Sequence, residues 1–233
     1  MEQETLNDWN RRLGTEPSEE TTIYKEMVDL ATIVHVFSEI REMIQSNPKL
    51  QRHSAFYNIY GLNHAHSVLM YIRRQVRTDG NSLHRLLRDI RDNYQQVTRE
   101  WFISMYTEGT FDRLQEVREQ QANHDFNKHF AEDEDSEYID PNIIEEDIER
   151  LQEIYESTND LIDGRIAHTV PQREPDSMPT YDQLAEWAEE VGDIFKKYLL
   201  LLQRSSLDRL LPHFSHDWKE IFRHAWLLDD NSI

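Results

Sequence analysis

The chain has 233 residues, 45 acidic and 25 basic side chains, a formal net charge of −20 and no cysteine. That length suffices for one large domain or two small ones with a real hydrophobic core. Absence of cysteine excludes disulfides, thiolate zinc sites and thiol nucleophiles. The acid excess argues against a general nucleic-acid coat protein, while leaving room for a local basic pocket.

Six glycines and seven prolines are few, as expected of a mostly helical chain. No apolar run approaches the roughly 18 residues of a bilayer span. The first twenty residues are polar and lack a hydrophobic leader, so a cytoplasmic protein without membrane contact is expected.

Residues 1–17 read as a flexible N-terminal arm ending at Pro17, and 18–233 as a single helical domain. Ser18 is the expected cap of a first helix, with Glu19 and Glu20 at the positive end of its dipole. Met27, Leu30, Val34, Phe37, Ile40 and Ile44 recur at spacings of three and four and give it one apolar face. Asn47-Pro48 ends it. A second helix is predicted from about Arg52 to Thr78, stopped by Asp79-Gly80. Its expected core stripe is Ala55, Ile59, Leu62, His66, Leu69, Arg73 and Val76, an apolar face interrupted by two polar residues. Asn81-Ser82 starts a short helix, Thr98 caps another that closes at Gly109, and a polar helix is predicted over 111–130.

The acidic stretch AEDEDSEYIDP is the clearest loop, and Asp140-Pro141 is a strong helix start. The helix that follows carries Ile144, Ile148, Leu151, Tyr155, Thr158 and Ile162 on one face and runs toward His168. Three prolines break VPQREPDSMP, and Thr180 with Gln183 forms a capping box. Leu184, Trp187, Val191, Phe195, Tyr198 and Leu202 then make the best amphipathic stripe of the chain. The aromatic tail SHDWKEIFRHAWLL is expected to pack back on the bundle. The fold class is therefore all-α, a helical bundle of four to five main helices plus short ones.

Chemistry-bearing motifs are sparse. His64 and His66 lie two residues apart, which sends their side chains to different sides of a helix. No HExxH is present, and His213 and His216 lack an evident third ligand. No metal and no cofactor are expected. No serine sits in a nucleophile elbow. Charge is segregated: residues 73–99 hold seven arginines (73, 74, 77, 85, 88, 91 and 99), whereas 132–163 hold fourteen acids against Arg150 alone. Two accounts fit. The basic stretch pairs with acidic surface of this chain or of a second copy, or it forms a rim where guanidinium forks grip a phosphate.

Two segments, FYNIYGLNHAHSVLMYIRRQVRTDGNSLHRLLRDI and LIDGRIAHTVPQREPDSMPTYDQLAEWAEEVGDIF, resemble the HEPN superfamily in its abortive-infection-like branch of bacterial helical proteins. The TREWF stretch and the DWKEIF…W tail are similar to that branch too, so the resemblance spans roughly residues 25–226. It implies a HEPN-like helical bundle, a homodimer, and a role in antiphage or toxin–antitoxin defence. The activity implied is a metal-independent ribonuclease, or a degenerate relative that binds RNA or nucleotides. Active members pair an Arg with a following His at a dimer cleft, where His shuttles the proton and Arg holds the phosphorane oxygens. His168 matches that histidine. Ile162 occupies the position where the family pattern has an arginine, and Arg165 stands nearer.

The expected catalytic residues are thus His168 and Arg165, with Arg73, Arg74 and His66 as phosphate-binding groups. Arg118/His124 and Arg77/His84 share the family spacing, at a frequency chance also supplies. His168 also fits the C-cap of its own helix, where an imidazolium suits the dipole. The competing expectation is a non-catalytic module whose acidic surface binds a basic protein partner or antitoxin.

Overall fold

The computed structural model describes residues 2–14, 22–51, 55–109, 111–161 and 179–224. Among them the only regular structure is helical, with one isolated antiparallel bridge between Thr98 and Tyr138. The helices are α1 (Glu2–Leu13), α2 (Ile23–Ser46), α3 (Ala55–Val76), α4 (Leu83–Asp92), α5 (Arg99–Thr107), α6 (Asp112–His129), α7 (Pro141–Leu161) and α8 (Tyr181–Gln203). The chain is an all-α bundle, and no described helix is long and apolar enough to cross a membrane.

The N-terminal stretch departs from the expected arm. Leu6, Trp9 and Leu13 recur at three and four residues, one face of a helix, and all three are buried in the core. Gly14 ends α1 at φ +63°, and a Cβ there would clash with the Thr22 side chain. Thr22, rather than Ser18, caps α2: its hydroxyl oxygen accepts from the Lys25 amide at 3.3 Å and its hydroxyl donates to the Gly14 carbonyl.

Helices α2 and α3 run antiparallel, since Glu26 meets Gln75 at one end and Phe37 stacks on His64 at the other. The core face of α3 is Gly61, His64, Ala65, Val68, Leu69, Ile72, Gln75 and Val76. Most of the stripe expected from the sequence is therefore turned away from it. Ile59 and Leu62 are exposed, and His66 and Arg73 are half-buried. Buried Gln75 ties three helices together, donating to Glu26 and accepting from the Leu83 amide that opens α4.

The last two helices form as their sequence indicates. Pro141 opens α7, with Asp140 Oδ1 accepting from the Asn142 amide at 2.9 Å. The capping box of α8 is complete: Gln183 N donates to Thr180 Oγ1 at 3.1 Å and Thr180 N to Gln183 Oε1 at 2.8 Å. The pair is antiparallel, because Asp147 meets Lys197 and Tyr198 while Arg150 meets Glu190. The segment after α8 lays Phe214 and Trp218 against His35 of α2, and Lys219 pairs with Glu39.

Candidate functional site

Of the expected site residues, His66, Arg73 and Arg74 lie among the described residues, on α3. His168 and Arg165 lie outside them, as does Ile162. His66 and Arg73, seven residues apart, share the outer face of α3 and are half-buried. Arg74 follows round the helix toward α2, where it meets Glu26 at 3.3 Å and lies over the Tyr71 ring at 5.5 Å. Burial pushes the Glu26 carboxyl up, and Arg74 opposes that shift.

Other arginines of the basic stretch are held by acids. Arg77 grips Asp79 through two bonds of 2.5 and 2.6 Å. Arg91 bridges Asp92 and Glu145, which joins the basic stretch to the acidic helix α7. Arg99 instead crosses to the acidic loop, donating to the Ser136 carbonyl at 2.8 Å and covering the Phe126 ring at 4.7 Å. His84 is buried, so the Arg77/His84 pair is not a surface site.

A different cation cluster is present where α5, α6 and the end of α8 meet. Thr98 caps α5 by accepting from the Trp101 amide at 3.0 Å. Phe102 packs on Phe126 and Phe130, clamping α5 to α6. Gly109, at φ +70°, turns the chain between the two helices. Helix α8 ends at Arg204, which adopts the left-handed conformation at φ 47° and donates from Nη1 to the Met105 carbonyl. A non-glycine residue there pays a steric penalty, so its side chain must be held by something else.

Between these elements lies a cleft of about 510 Å³, whose lining includes Tyr106, Arg118, Asp125, Lys128, His129 and Arg204. The Tyr106 hydroxyl donates to Asp125 Oδ2 at 2.8 Å. Burial, reinforced by that carboxylate, pushes the phenol well above its usual range. Burial also pushes His129 down, with Lys128 adding to the effect, so its ring is neutral near pH 7. The positive charge therefore belongs to Arg118, Lys128 and Arg204. Among the described residues, none of these three is in an ion pair, although the chain holds 45 acids.

Two carboxylates, Glu108 and Asp125, line the same cleft, and Asp125 accepts from the Tyr106 hydroxyl. Two guanidinium groups and an ammonium around one cavity suit an anion with several acceptor oxygens. His124, the spacing partner of Arg118, is exposed on α6 and close enough to His129 to depress it slightly.

The sequence does not single out Arg118 and Arg204: Arg118 has no acid three or four residues away along its helix, but Arg73 and Arg74 share that property, and Asp208 follows Arg204 by four residues. Among the described residues no three His, Asp or Glu side chains are grouped to hold a metal ion. No family model, no curated protein and no solved structure matches the chain.

Proposed function

We propose that the protein is a HEPN-like component of bacterial antiphage or toxin–antitoxin defence that engages RNA through its phosphates. The observation that carries the reading is the convergence of Arg118, Lys128 and Arg204 on one cleft with no paired acid among the described residues. Long-range repulsion from a net charge of −20 is screened beyond about 8–10 Å at physiological salt, so contacts inside the cleft decide the outcome. His168 and Arg165 remain the groups the family resemblance assigns to proton transfer and phosphate stabilisation.

The test is incubation of the purified protein and of His168→Ala with single-stranded RNA, following both binding and cleavage. Cleavage lost in the variant supports the ribonuclease form of the proposal, and binding without cleavage supports the degenerate form. Neither binding nor cleavage by the natural protein removes the proposal.

The same reading expects a homodimer through α3. Its support is that Phe56, Ile59, Leu62 and Met70 are exposed on the side of α3 away from the core. A second reading, capture of a basic protein partner, is favoured by the exposure of Glu132, Asp133, Glu134 and Asp135 in one loop. Charge reversal at those four positions should abolish capture under that reading and leave RNA binding intact under the first.

A further inference from the structure

The face of α6 that supplies Arg118 to the cleft continues toward the helix start as an apolar lip. Leu114, Arg118, Gln121 and Asp125 are spaced by three or four residues and so lie on one side of the helix, and Phe111 is the extended residue that precedes its first turn. Phe111 is 75 % exposed, Leu114 44 % and Val117 60 %. These open apolar side chains do not line the cavity themselves; Phe111 precedes Arg118 by seven residues, about 10 Å of helix rise, within reach of one strand that also meets the cations.

The spacing of the charges adds a second constraint. Arg118 and Lys128 are ten residues apart on α6, about 15 Å of helix rise, which is farther than the oxygens of one phosphate group. Flexible side chains narrow that gap, but the row still suits successive phosphates of a strand better than a single anion. Arg204, the residue that ends α8, lines the same cavity.

We infer that this surface binds a short single strand of RNA, with its phosphates along Arg118, Arg204 and Lys128 and an unpaired base stacked on Phe111. The inference rests on the RNA-engaging reading above and deepens it, by naming the strand form and the group that meets the base. Single strands expose the flat faces of their bases, and an aromatic ring takes any of them without reading sequence. A duplex hides those faces and gains nothing from Phe111.

The closing experiment measures binding of a fluorescein-labelled single-stranded oligouridylate of about eight nucleotides by anisotropy across a salt series. Three neutralised phosphates predict a log–log salt slope of about −2, and Arg118→Ala or Lys128→Ala should each reduce its magnitude by about 0.7. Phe111→Ala should weaken binding on the order of tenfold while leaving the slope unchanged, and Phe111→Trp should restore it. All three side chains are exposed, so thermal midpoints should stay at the natural value.

Natural affinity in Phe111→Ala, with slopes still reduced in the charge variants, would overturn the stacking inference alone. Slopes unchanged in both charge variants would overturn the placement of the strand. No binding by the natural protein would remove the underlying reading as well.

Discussion

The Tyr106 hydroxyl donates to Asp125 Oδ2 at 2.8 Å, joining the end of α5 to the C-terminal part of α6 inside the cleft. The bond holds the carboxylate at the cleft wall with its negative charge intact, where it opposes an incoming anion. Asp125→Asn keeps an acceptor for the phenol and removes the charge. At roughly 6 Å in a water-like dielectric, one charge is worth about 0.7 kcal/mol. Binding of single-stranded RNA should therefore tighten about threefold, read by anisotropy at low salt.

Arg204 combines a left-handed backbone with a charge that lines the cleft. At φ 47° a side chain costs roughly 1–2 kcal/mol relative to glycine, offset in part by its bond to the Met105 carbonyl. Arg204→Gly should leave stability unchanged or raise it by up to about 1 kcal/mol in urea unfolding. The same variant should bind RNA more weakly, with a shallower salt slope. Stability and binding moving in opposite directions would mark the strain as kept for function.

Acid should loosen the fold through His64. Its ring stacks on Phe37 at 3.7 Å and is buried, which pushes its pKa from 6.5 down to about 4. Between those values the unfolded chain binds a proton that the folded chain refuses. Stability from this group is thus complete above pH 6.5 and is lost as pH falls toward 4, by about 3 kcal/mol in all. His64→Leu should flatten the pH dependence of the urea midpoint over that window. An equally steep dependence in the variant would show that other groups cause it.

The N-terminal helix should prove structural. Trp9 is 2 % exposed and packs with Leu6 and Leu13 in the core. Trp9→Ala should cost about 3–5 kcal/mol, measured by urea unfolding. A loss below 1 kcal/mol is what a loosely docked arm would give.

How much of this could be read from the sequence follows from how local each signal is. The capping box of α8 and its stripe of Leu184, Val191, Phe195, Tyr198 and Leu202 lie within one helix, and the structure reproduces them. The phase of α3 was not legible, because the helix is apolar on two sides. Ile59, Leu62 and Met70 on the outer face compete with Ala65, Val68 and Ile72 on the inner one, and only packing against α2, α7 and α8 selects between them. In α1, charged neighbours mask the Leu6–Trp9–Leu13 spacing. The cleft draws on three elements from Tyr106 to Ser206, so no local pattern contains it. Glu116 and Glu119 flank Arg118 and Asp208 follows Arg204 by four residues, so the sequence alone does not mark either arginine as unpaired.

The central claim is that RNA engages the α5–α6–α8 cleft. The most direct test maps backbone amide shifts of ¹⁵N-labelled protein as the single-stranded oligouridylate is added. Perturbations should concentrate at Tyr106–Gly109, along α6 from Phe111 to His129, and at Leu200–Ser206. Shifts confined to the outer face of α3 around His66 and Arg73, with those segments silent, would contradict it.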